Sequence, residues 1–150
     1  MGRNDGFTLI EVICVLAIVA LLAALALPRL NPGTTPAQVD AYAVRIAALL
    51  KADRFAAMRA GRPVVTALSA SSRWVKSGAG LGLVQLPADI DLDATLADRC
   101  AGVKTQRVIA FFPSGMSCGG VIALARPGAS VEILVNWLTG VVEIVSTAKS

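Results

Sequence analysis

Residues 6–28 read GFTLIEVICVLAIVALLAALALP, an apolar run interrupted by one carboxylate, Glu11. From Phe7 to Leu27 there are 21 residues and a single charge. Coiled as a helix they reach about 32 Å, enough to cross a hydrocarbon core of about 30 Å. Pro28 then ends or kinks the helix. Upstream lies only the short polar stretch MGRNDG. Three readings compete. As a secretory signal peptide, the segment offers Arg3 as a basic start and Ala24-Leu25-Ala26 as a small-residue cleavage site; against this, Asp5 offsets Arg3 and Glu11 falls inside the apolar run. As a plain membrane anchor, TLIE forms a capping box in which Thr8 caps and Glu11 reaches back. That explains where a helix starts, but not why it starts at membrane depth. The third reading makes the glutamate functional.

A carboxylate within a membrane segment costs up to about 2.5–3.5 kcal/mol at the centre and less toward an end, so it calls for a partner. No lysine, arginine or histidine stands between Phe7 and Leu27. A cut after Gly6 would create one, the α-ammonium of Phe7, at the depth of Glu11. The two groups pair within one chain or between neighbouring helices. The intermolecular pair fixes helix stagger, because any slip leaves two charges unpaired in lipid.

At this point G-FTLIEV resembles the processing site of type IV pilins and type II secretion pseudopilins. The resemblance implies that prepilin peptidase cuts between Gly6 and Phe7, that Phe7 is N-methylated, and that Phe7 and Glu11 direct assembly. Pro28 matches the helix-kinking proline of many pilins. Asp5, directly before the glycine, departs from the basic leaders common in the family. The charges flanking the segment do not orient it, since Arg3 is offset by Asp5 while Arg29 lies on the other side. The resemblance places the following domain in the periplasm.

The totals fit one domain plus an appended segment: 150 residues, 55% apolar, mean hydropathy +0.68, net charge +4. Arg29, Arg45, Lys51, Arg54, Arg59 and Arg62 stand against Asp40 and Asp53, a local excess equal to the whole net charge. There is no histidine, which removes Ser-His-Asp and Cys-His catalysis. Cys14, Cys100 and Cys118 cannot close a tetrahedral zinc site among themselves. An enzyme is not expected, nor a cofactor or metal.

RLNPGTTPAQ (residues 29–38) reads as a linker. Thr35 before Pro36 makes an N-cap, and the helix runs to about Ala60, stopped by Gly61. Val39, Ala43, Ile46, Leu50 and Ala57 recur at helical spacing, with Tyr42 and Leu49 flanking, while Asp40, Arg45, Lys51, Arg54 and Arg59 line the other side. Such a basic face is solvated, meets anionic headgroups, or meets nucleic acid; no aromatic residues interleave, which weakens the last option.

The remainder alternates like strands. PVVTALSA and SRWVKS are strands, and SGAGLGLVQL is a flexible loop entering a third. PADIDLDATLADR (residues 87–99) carries Asp89, Asp91, Asp93 and Asp98. It lacks the glycine and closing glutamate of a calcium loop, so it is read as a solvated loop. RVIAFFPSG is a strand ending in a turn, SCGGVIALA another, RPGA a turn, and SVEILVNWLTGVVEIV a hairpin. In that hairpin Val131, Ile133, Val135 and Trp137 point inward, Glu132 and Asn136 point to solvent, and Gly140 supplies positive φ. PSGMS has the wrong spacing for a nucleophile elbow, leaving Ser114 and Ser117 as turn residues.

FFPSGMSCGGVIAL followed by VEILVNWLTGVVEI is similar to the H-type minor pseudopilins of type II secretion and the FimT-like minor pilins. Their domains show an F-x-P-x-G-x-x-x-G-G pattern and then a hairpin with a Thr-Gly turn. A basic residue often follows that turn; here it is Val141. If the domain is periplasmic, a Cys100–Cys118 disulfide follows, closing a loop worth roughly 3 kcal/mol; two unpaired thiols are the alternative.

The expectation is an α+β protein: a leader (1–6), a transmembrane and assembly helix (7–28), a linker (29–38), and a periplasmic pilin-like domain (39–150). In that domain an amphipathic helix packs on antiparallel strands, in two small sheets. The resemblance implies a minor pseudopilin of a type II secretion system, held in the bacterial inner membrane by a single pass. Its partners would be prepilin peptidase, other pseudopilins, the inner-membrane assembly platform and membrane lipid. The alternative is a FimT-like minor type IV pilin that binds DNA for uptake, although nucleic acid is disfavoured as a partner.

Overall fold

A computed structural model of the chain describes residues 8–26, 33–100, 103–104 and 107–146, in two units. The first unit holds α1 (Leu9–Ala26). The Thr8 carbonyl accepts from the amides of Glu11 (3.0 Å) and Val12 (3.3 Å), so Glu11 lies in the first turn. A carboxylate there complements the positive end of the helix dipole. Side chains from Thr8 to Ala23 are all exposed, and α1 is apolar around its whole circumference with no core-facing stripe. Its 18 residues reach about 27 Å. Among the described residues no helix is long and apolar enough to cross a membrane. The expected leader (1–6), Phe7, Leu27 and Pro28 of the expected span, and 29–32 of the expected linker lie outside the described residues.

The second unit begins at Gly33. Its helix α2 (Pro36–Ala60) starts with a reciprocal cap: Gln38 N–H donates to Thr35 Oγ1 (3.3 Å), and Thr35 N–H donates to Gln38 Oε1 (2.7 Å). Pro36 loses no hydrogen bond in the first turn. Gly61 ends the helix in the left-handed region, φ 62°. Val39, Ala43, Ile46, Ala47, Leu49, Leu50, Asp53 and Ala57 are its buried stripe. The apolar members are the expected face with Ala47 added; a carboxylate, Asp53, stands in their midst.

The strands follow in the order β1 (Val64–Ser69), β2 (Trp74–Lys76), β3 (Leu83–Gln85), β4 (Asp91–Leu96), β5 (Arg99–Cys100), β6 (Val103–Lys104), β7 (Val108–Phe111), β8 (Gly120–Arg126), β9 (Ala129–Val135) and β10 (Val142–Ser146). One four-stranded sheet runs β3-β2-β1-β7 and the other β10-β9-β8-β4; β5 and β6 form a small ladder. All pairs are antiparallel, with Val64 opposite Phe111 and Val142 opposite Val135. The two small sheets are as expected.

α2 lies against β1 of the first sheet and β9 and β10 of the second. Ile46 and Leu50 meet Val75, Ile109 and Phe111 from one sheet, and Ile122, Leu124 and Ile133 from the other, in one core. Each such side chain contributes about 1.5–3 kcal/mol by leaving water.

Two expectations need correction. The acidic stretch 87–99 is not a loop: β4 pairs with β8 from Asp91–Ala125 to Leu96–Gly120. Leu92 is buried and Leu96 half-buried, while Asp91, Asp93 and Thr95 face water, so period-2 alternation overrides the acidic composition. Trp137 does not point inward: β9 ends at Val135 and Trp137 is 61% exposed. The chain turns at Asn136, whose Oδ1 accepts from the amides of Leu138 (2.9 Å) and Thr139 (3.0 Å).

Candidate functional site

Glu11 projects from the first turn of α1 into an exposed position among apolar neighbours. Its expected partner, Phe7, and the expected cleavage residue Gly6 lie outside the described residues. Cys14, one turn on, is a free, exposed thiol.

In the second unit, three polar constructions position the surface. The first surrounds Asp53, fully buried on α2. Its carboxylate accepts from Thr66 Oγ1 (2.6 Å), Ser77 Oγ, and the amides of Gly78 (2.9 Å) and Ala79 (3.2 Å). A buried carboxylate is tolerable only when its acceptor sites are filled in this way. The knot ties α2 to β1 and to the loop after β2. Gly78 passes so close to β1 that a Cβ there would stand 2.2 Å from the Val65 carbonyl oxygen.

The second construction joins the two turns of the PSG and Thr-Gly motifs. Arg54 Nε donates to the Gly115 carbonyl (2.9 Å). A Cβ on Gly140 would meet that same oxygen at 2.1 Å and Arg54 Nε at 2.8 Å; Gly140 has φ 65° and Gly115 φ 84°. Only glycine gives both the left-handed backbone and this close approach. Ser117, 5% exposed, donates from its Oγ to the Asn136 carbonyl (2.9 Å) and from its amide to the Trp137 carbonyl (2.9 Å). Gly119 (φ 72°) lies under Trp137, where a Cβ would come within 2.9 Å of the indole-bearing carbon. Cys118, between them, is bonded to Cys100 with Cα atoms 5.4 Å apart. The disulfide thereby fastens β5 to this apex.

The third construction is a clasp where the unit begins. Thr34 donates its amide (2.6 Å) and hydroxyl (2.7 Å) to the two oxygens of Asp89. These bonds hold the Asp89 carboxyl below its ordinary value, the Thr34 amide most strongly, with a smaller pull from Arg126.

The chemistry of these groups is that of fastening. Ser117 is spent on a backbone carbonyl, and Ser114 Oγ receives the Met116 amide at 3.4 Å. Sequence reasoning does not find Asp53, Arg54, Ser117 and Asn136 as organising residues. For Asp53 a signal existed, since it shares the helical face of Leu50 and Ala57. Arg54 meets Gly115 from 61 positions away, and nothing local announces it.

Residues 1–27 match the prokaryotic N-terminal methylation motif. Over 136 residues the chain is 32% identical to type II secretion system protein H of Xanthomonas campestris pv. campestris, covering 90% of this chain and 79% of that protein. Two structures of the minor pseudopilin EpsH from the type 2 secretion system of Vibrio cholerae share the fold at 11% identity. Their TM-scores are 0.59 and 0.62, with 77% and 78% of this chain and 100% and 99% of theirs covered. The type IV minor pilin FimU of Pseudomonas aeruginosa shares it at 14% identity and TM-score 0.52, over 73% of this chain and 87% of that one.

Proposed function

This chain belongs to the type II secretion system protein H family, the H-type minor pseudopilins of the type IV pilin superfamily, and from that premise we propose that it is a processed subunit of a periplasmic pseudopilus. Prepilin peptidase cuts between Gly6 and Phe7 and methylates Phe7. Residues 7–28 hold the subunit in the inner membrane by a single pass, and the expected linker (29–38) shortens to 29–32, because the periplasmic unit begins at Gly33 and its helix at Pro36. The subunit then joins other pseudopilins through the inner-membrane assembly platform, and the fibre helps move folded proteins across the outer membrane. It works by assembly rather than catalysis, and needs no cofactor.

The observation that carries this reading is Glu11 in the first turn of a helix apolar on every side. In hydrocarbon that carboxylate has no basic partner within residues 7–27. The ammonium released at Phe7 is the natural counter-ion, and pairing it with Glu11 of a neighbour sets the stagger of subunits. DNA uptake, the alternative, finds less support, because Leu138 and Val141 put apolar side chains on the hairpin turn. The intact mass and N-terminus of the protein extracted from membranes test the proposal. A chain starting at methylated Phe7 supports it, while a chain starting at Leu27 makes the segment a signal peptide.

A further inference from the structure

We propose that the apex formed by the two glycine turns is a docking surface for an acidic, apolar protein segment; this rests on the fibre-subunit reading above. Trp137 and Leu138 are 61% and 55% exposed on a turn held by the Asn136, Ser117 and Gly140 contacts. Beside them Met116 and Val141 are exposed, and so are Phe55 and Met58 on α2. The patches are continuous: Gly140 abuts the Gly115 carbonyl, and a Cβ on Gly115 would stand 3.4 Å from Met58 Sδ. Large apolar side chains fixed on a rigid base and left in water are the usual anchors of protein interfaces.

The charge beside this patch selects the occupant. Arg54, whose Nε donates to the Gly115 carbonyl, lies within the patch; Arg62 precedes Val64, which pairs with Phe111 at the entry to the PSG turn, and Arg59 and Arg62 are exposed. Asp53, the one acid in this part of the helix, is turned inward and filled by four donors. Glu143, exposed on β10 two residues beyond Val141, is outnumbered there by the three arginines. The complementary partner therefore carries aspartate or glutamate beside an apolar anchor.

The test uses the mature full chain in zwitterionic phosphatidylcholine nanodiscs, with Trp74→Phe so that Trp137 alone reports. Two synthetic peptides serve as probes: one alternates glutamate and leucine around a central phenylalanine, and its twin has lysine for each glutamate. The acidic peptide should give a saturable blue shift at least tenfold tighter than the twin. Leu138→Ser should weaken it at least tenfold, and Arg59→Glu with Arg62→Glu should reverse the preference. Equal binding of the two peptides, no binding, or a Trp137 shift only with phosphatidylglycerol vesicles overturns the proposal. Intact mass of the same preparation separates the two questions: methylated Phe7 without peptide binding sinks the docking surface and leaves the processing reading standing.

Discussion

Replacing Asp53 by alanine removes one carboxylate and strands four donors. Gly78 and Ala79 are exposed residues, so water can take over their amides. Thr66 (0% exposed) and Ser77 (5%) are enclosed, so their hydroxyls lose their acceptor with no replacement. At about 1–3 kcal/mol for each orphaned buried group, Asp53→Ala should cost about 2–6 kcal/mol. An asparagine side chain in the same place would keep one acceptor but turn an N–H₂ toward donors, so Asp53→Asn should fall in the lower half of that range. The triple change Asp53→Leu, Thr66→Val, Ser77→Ala removes donors together with acceptor and should recover at least half of the loss, because the penalty lies in the unmatched group rather than the absent bond. Urea unfolding of the full chain in mild detergent, followed by tryptophan fluorescence and circular dichroism, measures each difference. An Asp53→Ala variant within about 0.5 kcal/mol of the parent, a shift typical of unremarkable surface sites, would refute the assignment of Asp53 as the fastener of α2. So would a triple variant no better than the single.

Gly140→Val should destabilise by about 2–5 kcal/mol, combining left-handed strain with overpacking against the Gly115 carbonyl, read from the same unfolding curves. The Asp89 clasp contributes its full stability above the unfolded carboxylate value near 3.9, and loses it as pH falls through the depressed folded value. Thr34→Val removes the hydroxyl bond and keeps the stronger amide bond, so it should lessen but not abolish the acid-side slope of the stability–pH curve and leave the slope above pH 6 unchanged. Cys100→Ser with Cys118→Ser should lower stability by about 3 kcal/mol, the entropy of a loop this size; the non-reducing mass of the parent, two hydrogen atoms below the dithiol, checks that the bond is formed in the cell. Glu11→Ala should still be cut and methylated, yet be lost from sheared fibre fractions; normal incorporation would remove the role given to that carboxylate.

Local chemistry makes α2 legible. Thr35-Pro36 and Gly61 mark its ends, and the recurrence of Val39, Ala43, Ile46, Leu50 and Ala57 marks its inner face. Asp53 lies on that same face, yet no rule of spacing says which carboxylate will find four donors in distant loops. The acids of residues 87–99 hide β4 in a similar way: Leu92 and Leu96 keep step with the pleat, while Asp91, Asp93 and Thr95 fill the wet face. Trp137 is misplaced by carrying the alternation of β9 one step too far, past Asn136, where a side-chain oxygen bends the backbone. The contact of Arg54 with Gly115 and Gly140 belongs to tertiary structure alone. The glycines of both turn motifs are readable as turns, but not as mutual neighbours.

The Thr34–Asp89 clasp has a mechanical consequence. A pulling force carried by the upstream chain enters the globular unit at Gly33, one residue before the clasp. It loads two parallel bonds to a carboxylate 55 positions away before it can unwind the first turn of α2. Tension is thus handed to the connection between β3 and β4, and the helix end behind it is spared.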